Sequence, residues 1–296
     1  MKSLLQAILP LVAILGFYGV LNIFSKLYDH SKRRKRTPLA RQLLRSPGQS
    51  LRNQIEDVSL DISATAVVLL LLVPVYLAIF QNAAITTSER IVIVSIVIIA
   101  AILMLRKLWK SFNRRNNLRL ALDCEMAVGQ ELNQLMLQGC NVYHDFPAEK
   151  FNIDHVVVCA QGVLAIETKG RSKPTEVRGA AGATVVYDGN GLRFPGGFDK
   201  DSIEQAKRQA RWLSSWLTSA VGDPVVVHPV LALPGWYIER EKPADIVIFN
   251  GKNPELLLKW INGSKLSDTM ITRITHQIGQ RCRDVEPLAY GQEKKN

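Results

Sequence analysis

Cysteine is scarce in this 296-residue sequence. The four present (Cys124, Cys140, Cys159 and Cys282) stand far apart, with no CxxC pair and no histidine at zinc-ligand spacing. That excludes a zinc knuckle and a dithiol redox motif, and all four are expected as reduced thiols. Acidic residues are the second shortage, and a local one. Residues 1–120 carry 5 Asp and Glu against 17 Lys and Arg, whereas residues 121–296 carry 21 against 20. The formal charge of +11 therefore belongs to the first part of the chain, and it does not make the second part a basic nucleic-acid surface. Internal repeats and low-complexity tracts are also missing. The glycines around Asp188–Asn190 and at Gly196-Gly197 do not have the spacing of a phosphate-cradling loop and read as turns.

Long apolar runs, by contrast, are present. A bilayer core about 30 Å thick needs about 20 apolar helical residues, and three segments meet or approach that length: 4–24, 62–80 and 91–105. The first lacks a small-x-small cleavage site ahead of the basic stretch at Lys26, so it reads as a retained span and not a signal peptide. The loop 26–57 contains Lys32 to Arg36 plus Arg41, Arg45 and Arg52, and Arg106 to Arg119 follow the third span. The connector Gln81 to Arg90 has a single basic residue. Lys and Arg are retained on the cytoplasmic side, so the expected topology places the N-terminus outside and everything after residue 106 in the cytoplasm of a multi-pass cell-membrane protein. The lipid bilayer is thus an expected partner. No ionisable residue lies at mid-depth in the spans, which disfavours a transporter or channel.

The second part reads as α/β. Leu118, Leu122, Met126, Gly129, Leu132 and Met136 form a helical stripe that Gly139 ends. Strands are expected at Asn141 to Phe146, Ile153 to Cys159 and Gly162 to Gly170, the last two joined by the tight turn Ala160-Gln161. Short strands at Ala183 to Tyr187 and Leu192 to Phe194 come next. A helix follows, opened by Asp201 and Glu204 as a capping box, with Ile203, Ala206, Ala210, Leu213 and Leu217 as its buried stripe. Strands at Val225 to Leu233 and Asp245 to Phe249 precede a helix opened by Asn253-Pro254 and a last helix over Leu266 to Arg283, with a disordered tail. The fold class is a mixed sheet flanked by helices, preceded by three transmembrane helices. The expected division is a membrane region over 1–117, an α/β domain over 118–250 and a helical extension over 251–296.

The chemistry lies in the hairpin. Side chains alternate faces along a strand, so Asp154 lies with Val156 and Val158, while Glu167 and Lys169 lie with Val163 and Ala165. A two-residue turn pairs Cys159 with Gly162 and sets Asp154 opposite Glu167; a register shifted by two would set Asp154 opposite Lys169. Two carboxylates facing each other on an apolar face repel and lose hydration. A divalent cation removes the conflict, because Mg²⁺ takes one or two carboxylates with waters and substrate phosphate. A lysine two residues beyond the glutamate can orient or deprotonate a water and stabilise charge on a phosphate, which amounts to metal-assisted phosphodiester hydrolysis. Glu131, sharing a helical face with Ala127, Val128 and Leu135, is a candidate third carboxylate.

These segments, Gly129-Gln130-Glu131, Asn152 to Val158 and Gly162 to Gly170, resemble the NERD (nuclease-related) domain of the PD-(D/E)XK nuclease superfamily over about Leu118 to Leu233. The resemblance implies a restriction-endonuclease-like core in which Asp154 and Glu167 bind Mg²⁺ or Mn²⁺ and Lys169 is catalytic. Glu131 is the implied helix glutamate, and Gln205, or in second place Gln209, is the glutamine of the following helix. Ile153 stands where the superfamily has proline, which leaves the ligands intact. The implied function is a membrane-anchored nuclease acting on nucleic acid, DNA ahead of RNA. The alternative is a catalytically silent, membrane-tethered scaffold that binds nucleic acid or protein. Lys207, Arg208 and Arg211 beside Trp212 and Trp216 suit either a single strand or ordinary packing, and packing is the simpler reading. His155 faces away from Asp154 and is assigned no role.

Overall fold

The computed structural model describes residues 41–82, 85–177, 179–261 and 265–286, together with 23, 26, 27 and 39. The expected first span, the Lys32 to Arg36 cluster and the tail lie outside the described residues.

In chain order the elements are β1 (Leu43–Leu44), α1 (Gln49–Gln81), α2 (Thr87–Asn133), β2 (Asn141–Pro147), β3 (Asn152–Cys159), β4 (Gly162–Thr168), β5 (Thr184–Tyr187), β6 (Leu192–Phe194), β7 (Gly197–Asp199), α3 (Asp201–Val221), β8 (Val227–Ala232), β9 (Tyr237–Arg240), β10 (Val247–Phe249), α4 (Glu255–Trp260), α5 (Asp268–Arg281) and β11 (Arg283–Val285). They fall into two compact units. One comprises residues 1–42, 56–116 and 286–296, and the other residues 43–55 and 117–285.

In the first unit, α1 and α2 contain the expected spans 62–80 and 91–105, and both are long and apolar enough to cross a membrane by length and composition. Their apolar side chains, among them Leu70, Val73, Ile98 and Leu103, stand exposed. Such a surface is costly in water and is at home in hydrocarbon. Pro74 sits inside α1, where its lost N–H leaves a carbonyl unmatched. Lys107 pairs with Asp61 at 2.7 Å.

In the second unit, a five-stranded sheet runs β10-β8-β4-β3-β2. The β2-β3-β4 meander is antiparallel, and β8 joins β4 in parallel after the α3 crossover, as does β10 on β8. The β3-β4 register follows the two-residue turn, with Cys159 opposite Gly162 and His155 opposite Ile166. Alternation along β3 and β4 sends Val156, Val158, Val163 and Ala165 to a core with Ala210, Leu213 and Leu217 of α3 and Ile274 and Ile278 of α5. Val157, Leu164 and Ile166 go to the other face, against Val128 and Leu132 of α2 and Leu257 of α4. α5 is therefore part of the same core, since its apolar stripe has no other face to bury against. A second sheet, β7-β6-β5-β9, lies between β4 and α3 in sequence, with β9 reaching back to it from beyond β8. β7, β9 and β11 are too short to leave a periodicity in the sequence.

The start of α3 differs from expectation. Asp201 is already helical, and the orphan N–H of Ser202 is satisfied by Asp199 Oδ1 at 3.1 Å, with Ser202 Oγ donating to Asp199 Oδ2 at 2.8 Å. The cap begins earlier because β7 delivers Asp199 to the helix entrance. Ser267 caps α5, accepting from Met270 N at 3.2 Å. Gly139 takes φ +81 after the 3-10 turn that extends α2, as a left-handed stop requires. His155 is fully buried, its Nδ1 at 2.9 Å from His144 Nδ1, which makes it a core residue. The Cys159 thiol donates to Gly162 O at 3.3 Å across the turn between β3 and β4.

Candidate active site

The site is built at the end of β3 and β4 facing α3. Asp154 accepts from the Thr168 amide through Oδ2 at 2.6 Å, which ties the first carboxylate to the strand that carries the second. Lys169 follows at the strand end, its amide donating to Ala232 O of β8 at 2.9 Å, so its side chain leaves from backbone fixed on both sides. Gly170 follows where the chain passes close to α2: a Cβ there would lie 3.0 Å from Cys124 Sγ and 3.1 Å from the Leu120 carbonyl.

Glu167 is buried, and its carboxylate is held by three donors. Lys169 Nζ lies 2.6 Å from Oε1, Gln205 Nε2 donates to Oε1 at 2.7 Å, and Gln209 Nε2 donates to Oε2 at 2.6 Å. Gln205 closes the ring by accepting from Lys169 Nζ at 3.0 Å. Gln205 and Gln209 are four residues apart and so share one face of α3, which is why both reach the same carboxylate. Gln209 also donates to Asn152 O at 3.2 Å, and its Oε1 is buried without a partner among the described residues.

Four of the sequence candidates, Asp154, Glu167, Lys169 and Gln205, are thus brought together. Glu131 is not: it is partly exposed on α2 and accepts from Gln134 at 3.0 Å. The helix carboxylate that enters the electrostatics of this group is Glu125, six residues earlier and on a different side of the helix. Its place between Leu122 and Val128 on the buried stripe is a readable signal, a charge interrupting an apolar face. Gln209, the second choice for the helix glutamine, is engaged together with Gln205.

The electrostatics follow from burying three carboxylates around one ammonium. Asp154 is held well above the usual carboxylate range, first by burial and then by the charges of Glu167 and Glu125. Glu125 is pushed up to about 8 by burial, then by Asp145 and Glu167, with Lys169 opposing. Burial pushes the Lys169 ammonium down, but the charge and hydrogen bond of Glu167, with Asp154, outweigh it and leave the pKa raised. Without a metal, the two neighbouring carboxylates favour the charged form of Lys169.

A group with a raised folded-state pKa stabilises the fold fully below its unfolded value, and that contribution is lost as pH rises through the folded value. Glu125 ordinarily titrates near 4.5 and here near 8, so its burial costs stability increasingly across that interval. Glu125→Gln, melted in EDTA, is expected to match the wild type near pH 4.5 and to be the more stable of the two at pH 8. Equal melting temperatures at pH 8 would show that Glu125 is not a buried charge.

This donor set fits a hard divalent cation. An excess of buried carboxylate oxygen over positive charge is what such an ion neutralises. Among the described residues no group of three or more His, Cys, Asp or Glu could hold an ion unaided. At most two carboxylates, Asp154 and Glu167, would then be direct ligands, with water or substrate oxygen completing the shell, as Mg²⁺ tolerates.

Trp212 and Trp216 are committed to packing. Their rings stack 6.3 Å apart beside Phe146, and the Arg281 guanidinium lies over both.

A mixed sheet flanked by helices, with Asp, Glu and Lys of one hairpin gathered at the sheet end, defines a nuclease-related α/β domain. Residues 121–234 match the family described as NERD, nuclease-related domain, so the chain carries a NERD domain over that stretch, consistent with the PD-(D/E)XK superfamily. No curated protein and no solved structure matches the chain.

Proposed function

We propose that the protein is a membrane-anchored, Mg²⁺- or Mn²⁺-dependent nuclease that hydrolyses phosphodiester bonds, in DNA ahead of RNA, at the cytoplasmic face of the cell membrane. The observation that carries this reading is the hydrogen-bonded ring of buried Glu167 with Gln205 and Lys169, beside Asp154. Such a concentration of charge works against stability and is accounted for by a reaction that needs it. In this reading 118–250 is the nuclease core. Asp154 and Glu167 hold the metal, which when bound would supply Lewis-acid polarisation of the phosphate and an acidified water. Lys169 holds a positive charge where the phosphate gains negative charge, and Gln205 fixes Lys169 against Glu167. Gln209 orients the second carboxylate oxygen. Glu131 remains a proposed assistant only through its place in the family motif, whereas Glu125 has the geometry for that role. The two apolar helices and the Lys/Arg bias of the flanking loops support the anchoring and its orientation.

One observation favours the second reading, a silent tethered scaffold: both oxygens of Glu167 already have protein donors, so the site is satisfied without a metal. The two readings separate in one assay. Full-length protein in detergent micelles is incubated with labelled single- and double-stranded DNA and RNA in Mg²⁺, Mn²⁺ or EDTA. Cleavage that needs the metal is expected. Intact substrates throughout, with no Mn²⁺ binding by calorimetry, would leave the scaffold.

A further inference from the structure

Beside Lys169 and Gln205 opens a cleft of about 530 Å³. That volume falls within the range of about 300–1,000 Å³ typical of small-ligand sites. Beyond the two site residues, the cleft is lined by Arg171, Phe198, Asp199, Lys200, Asp201 and Ser202. Phe198 is 54% exposed although it stands on a strand, paired opposite Arg193. The tip of its ring lies against Gly191, where an added Cβ would come within 2.3 Å of Cζ, so the glycine leaves room for the ring. The ring is thus half uncovered at the cleft and has no aromatic partner among the described residues, unlike Trp212 and Trp216.

The charges of the cleft are arranged with similar asymmetry. Asp199 is spent on Ser202 and on Arg171, whose Nη1 lies 3.5 Å from Oδ2. Arg171 is further immobilised, its guanidinium over the Phe194 ring at 4.3 Å and its carbonyl accepting from Trp236 Nε1 at 3.2 Å. Lys200 is exposed and has no ion pair among the described residues. Besides Asp199, Asp201 is the other carboxylate of the lining, against the three cations Lys169, Arg171 and Lys200.

We propose that this cleft receives an unpaired stretch of nucleic acid. One base stacks on Phe198, and the adjoining phosphates lie across Lys200 and Arg171 and lead to Lys169. An uncovered aromatic face with flanking cations is the recognition chemistry of single strands, because every base offers a π-face and the backbone offers regular charge. A base inside a duplex is already stacked on both faces and cannot reach a ring standing on a three-residue strand. The inference rests on the nuclease reading for the direction in which the strand runs, and binding tests it apart from hydrolysis.

Anisotropy of a short labelled oligothymidine and of a matching duplex is measured with the full chain in EDTA, where metal-dependent hydrolysis is blocked. The single strand is expected to bind more tightly than the duplex. Phe198→Ala is expected to weaken single-strand binding by roughly 5- to 150-fold, the usual worth of one base-aromatic stack. Phe198→Trp restores it, Gly191→Ala lowers it by displacing the ring, and Lys200→Glu lowers it in a salt-dependent way. Tighter binding of the duplex, unchanged single-strand affinity in Phe198→Ala, or binding of neither nucleic acid overturns the inference. Metal-dependent cleavage of duplex by Phe198→Ala at the wild-type rate would remove this cleft and keep the nuclease. Phe198-dependent binding without cleavage in any metal would keep the cleft and remove the nuclease.

Discussion

Replacing Lys169 with methionine is expected to lower metal-dependent cleavage by about 10²- to 10⁴-fold, the usual worth of a positioned catalytic group. The substitution keeps the length of the stem and removes the ammonium, which lies 2.6 Å from Glu167 Oε1 and 3.0 Å from Gln205 Oε1. In the metal-free site Glu167 and Asp154 favour the charged ammonium, which methionine cannot supply. Lys169→Arg should not rescue fully, since a planar fork cannot occupy the point between Glu167 and Gln205. Asp154→Asn should lose cleavage to a similar degree while its side-chain carbonyl can still accept from the Thr168 amide. A melting curve for each variant separates lost chemistry from lost fold. Wild-type cleavage in Lys169→Met would take the lysine out of the reaction.

The largest effect on stability is expected far from this chemistry. Arg45 Nη1 lies 3.0 Å from the buried Asp145 Oδ2, while its Nε and Nη2 each donate to Asp284 at 2.7 Å. Ser50 completes the cluster, its amide and hydroxyl donating to Asp145 Oδ2 at 3.0 and 2.7 Å, and Asn152 donates to Oδ1 at 3.1 Å. Asp145 itself holds φ +49, a conformation aspartate tolerates better than most residues. Arg45→Ala strands that carboxylate without its cation. Removing one partner of a buried pair costs about 3–5 kcal/mol, and the lower end is expected here because Ser50 and Asn152 remain. Asp284→Ala removes the exposed partner and should cost no more than about 1 kcal/mol. Both are measured by thermal unfolding of the full chain followed by tryptophan fluorescence. Burial raises the Asp145 pKa above its usual range even with Ser50 and Arg45 opposing, so acid should narrow the gap between Arg45→Ala and wild type. Arg45→Ala as stable as wild type at neutral pH would show that the segment 43–55 does not hold the domain together. A fragment beginning after residue 57 lacks Arg45 and Ser50 altogether and should share this weakness.

What the sequence makes legible is what local rules decide. Pleat alternation and a two-residue turn admit few registers, so the β3-β4 pairing, and with it the gathering of Asp154, Glu167 and Lys169, follows from the order of residues in the hairpin. The buried stripe of α3 and the stop at Gly139 follow from helical period and from glycine's freedom at positive φ. The apolar runs at 62–80 and 91–105 announce themselves by length. The remaining features depend on contacts between residues distant in the chain. Glu125 and not Glu131 faces the site because the rotation of α2 is set by Val128, Gly129 and Leu132 packing on the sheet and on Pro47, and two carboxylates six residues apart cannot both face it. Gln209 joins Gln205 because α3 crosses β4 at that height. Residues 43–55 join the domain through Asp145, which lies about a hundred positions away and leaves no periodic trace. Spacing and period act over one turn of helix or one pair of strands. The neighbours of a buried charge are chosen by the whole packing arrangement, and so they appear only once the chain has folded.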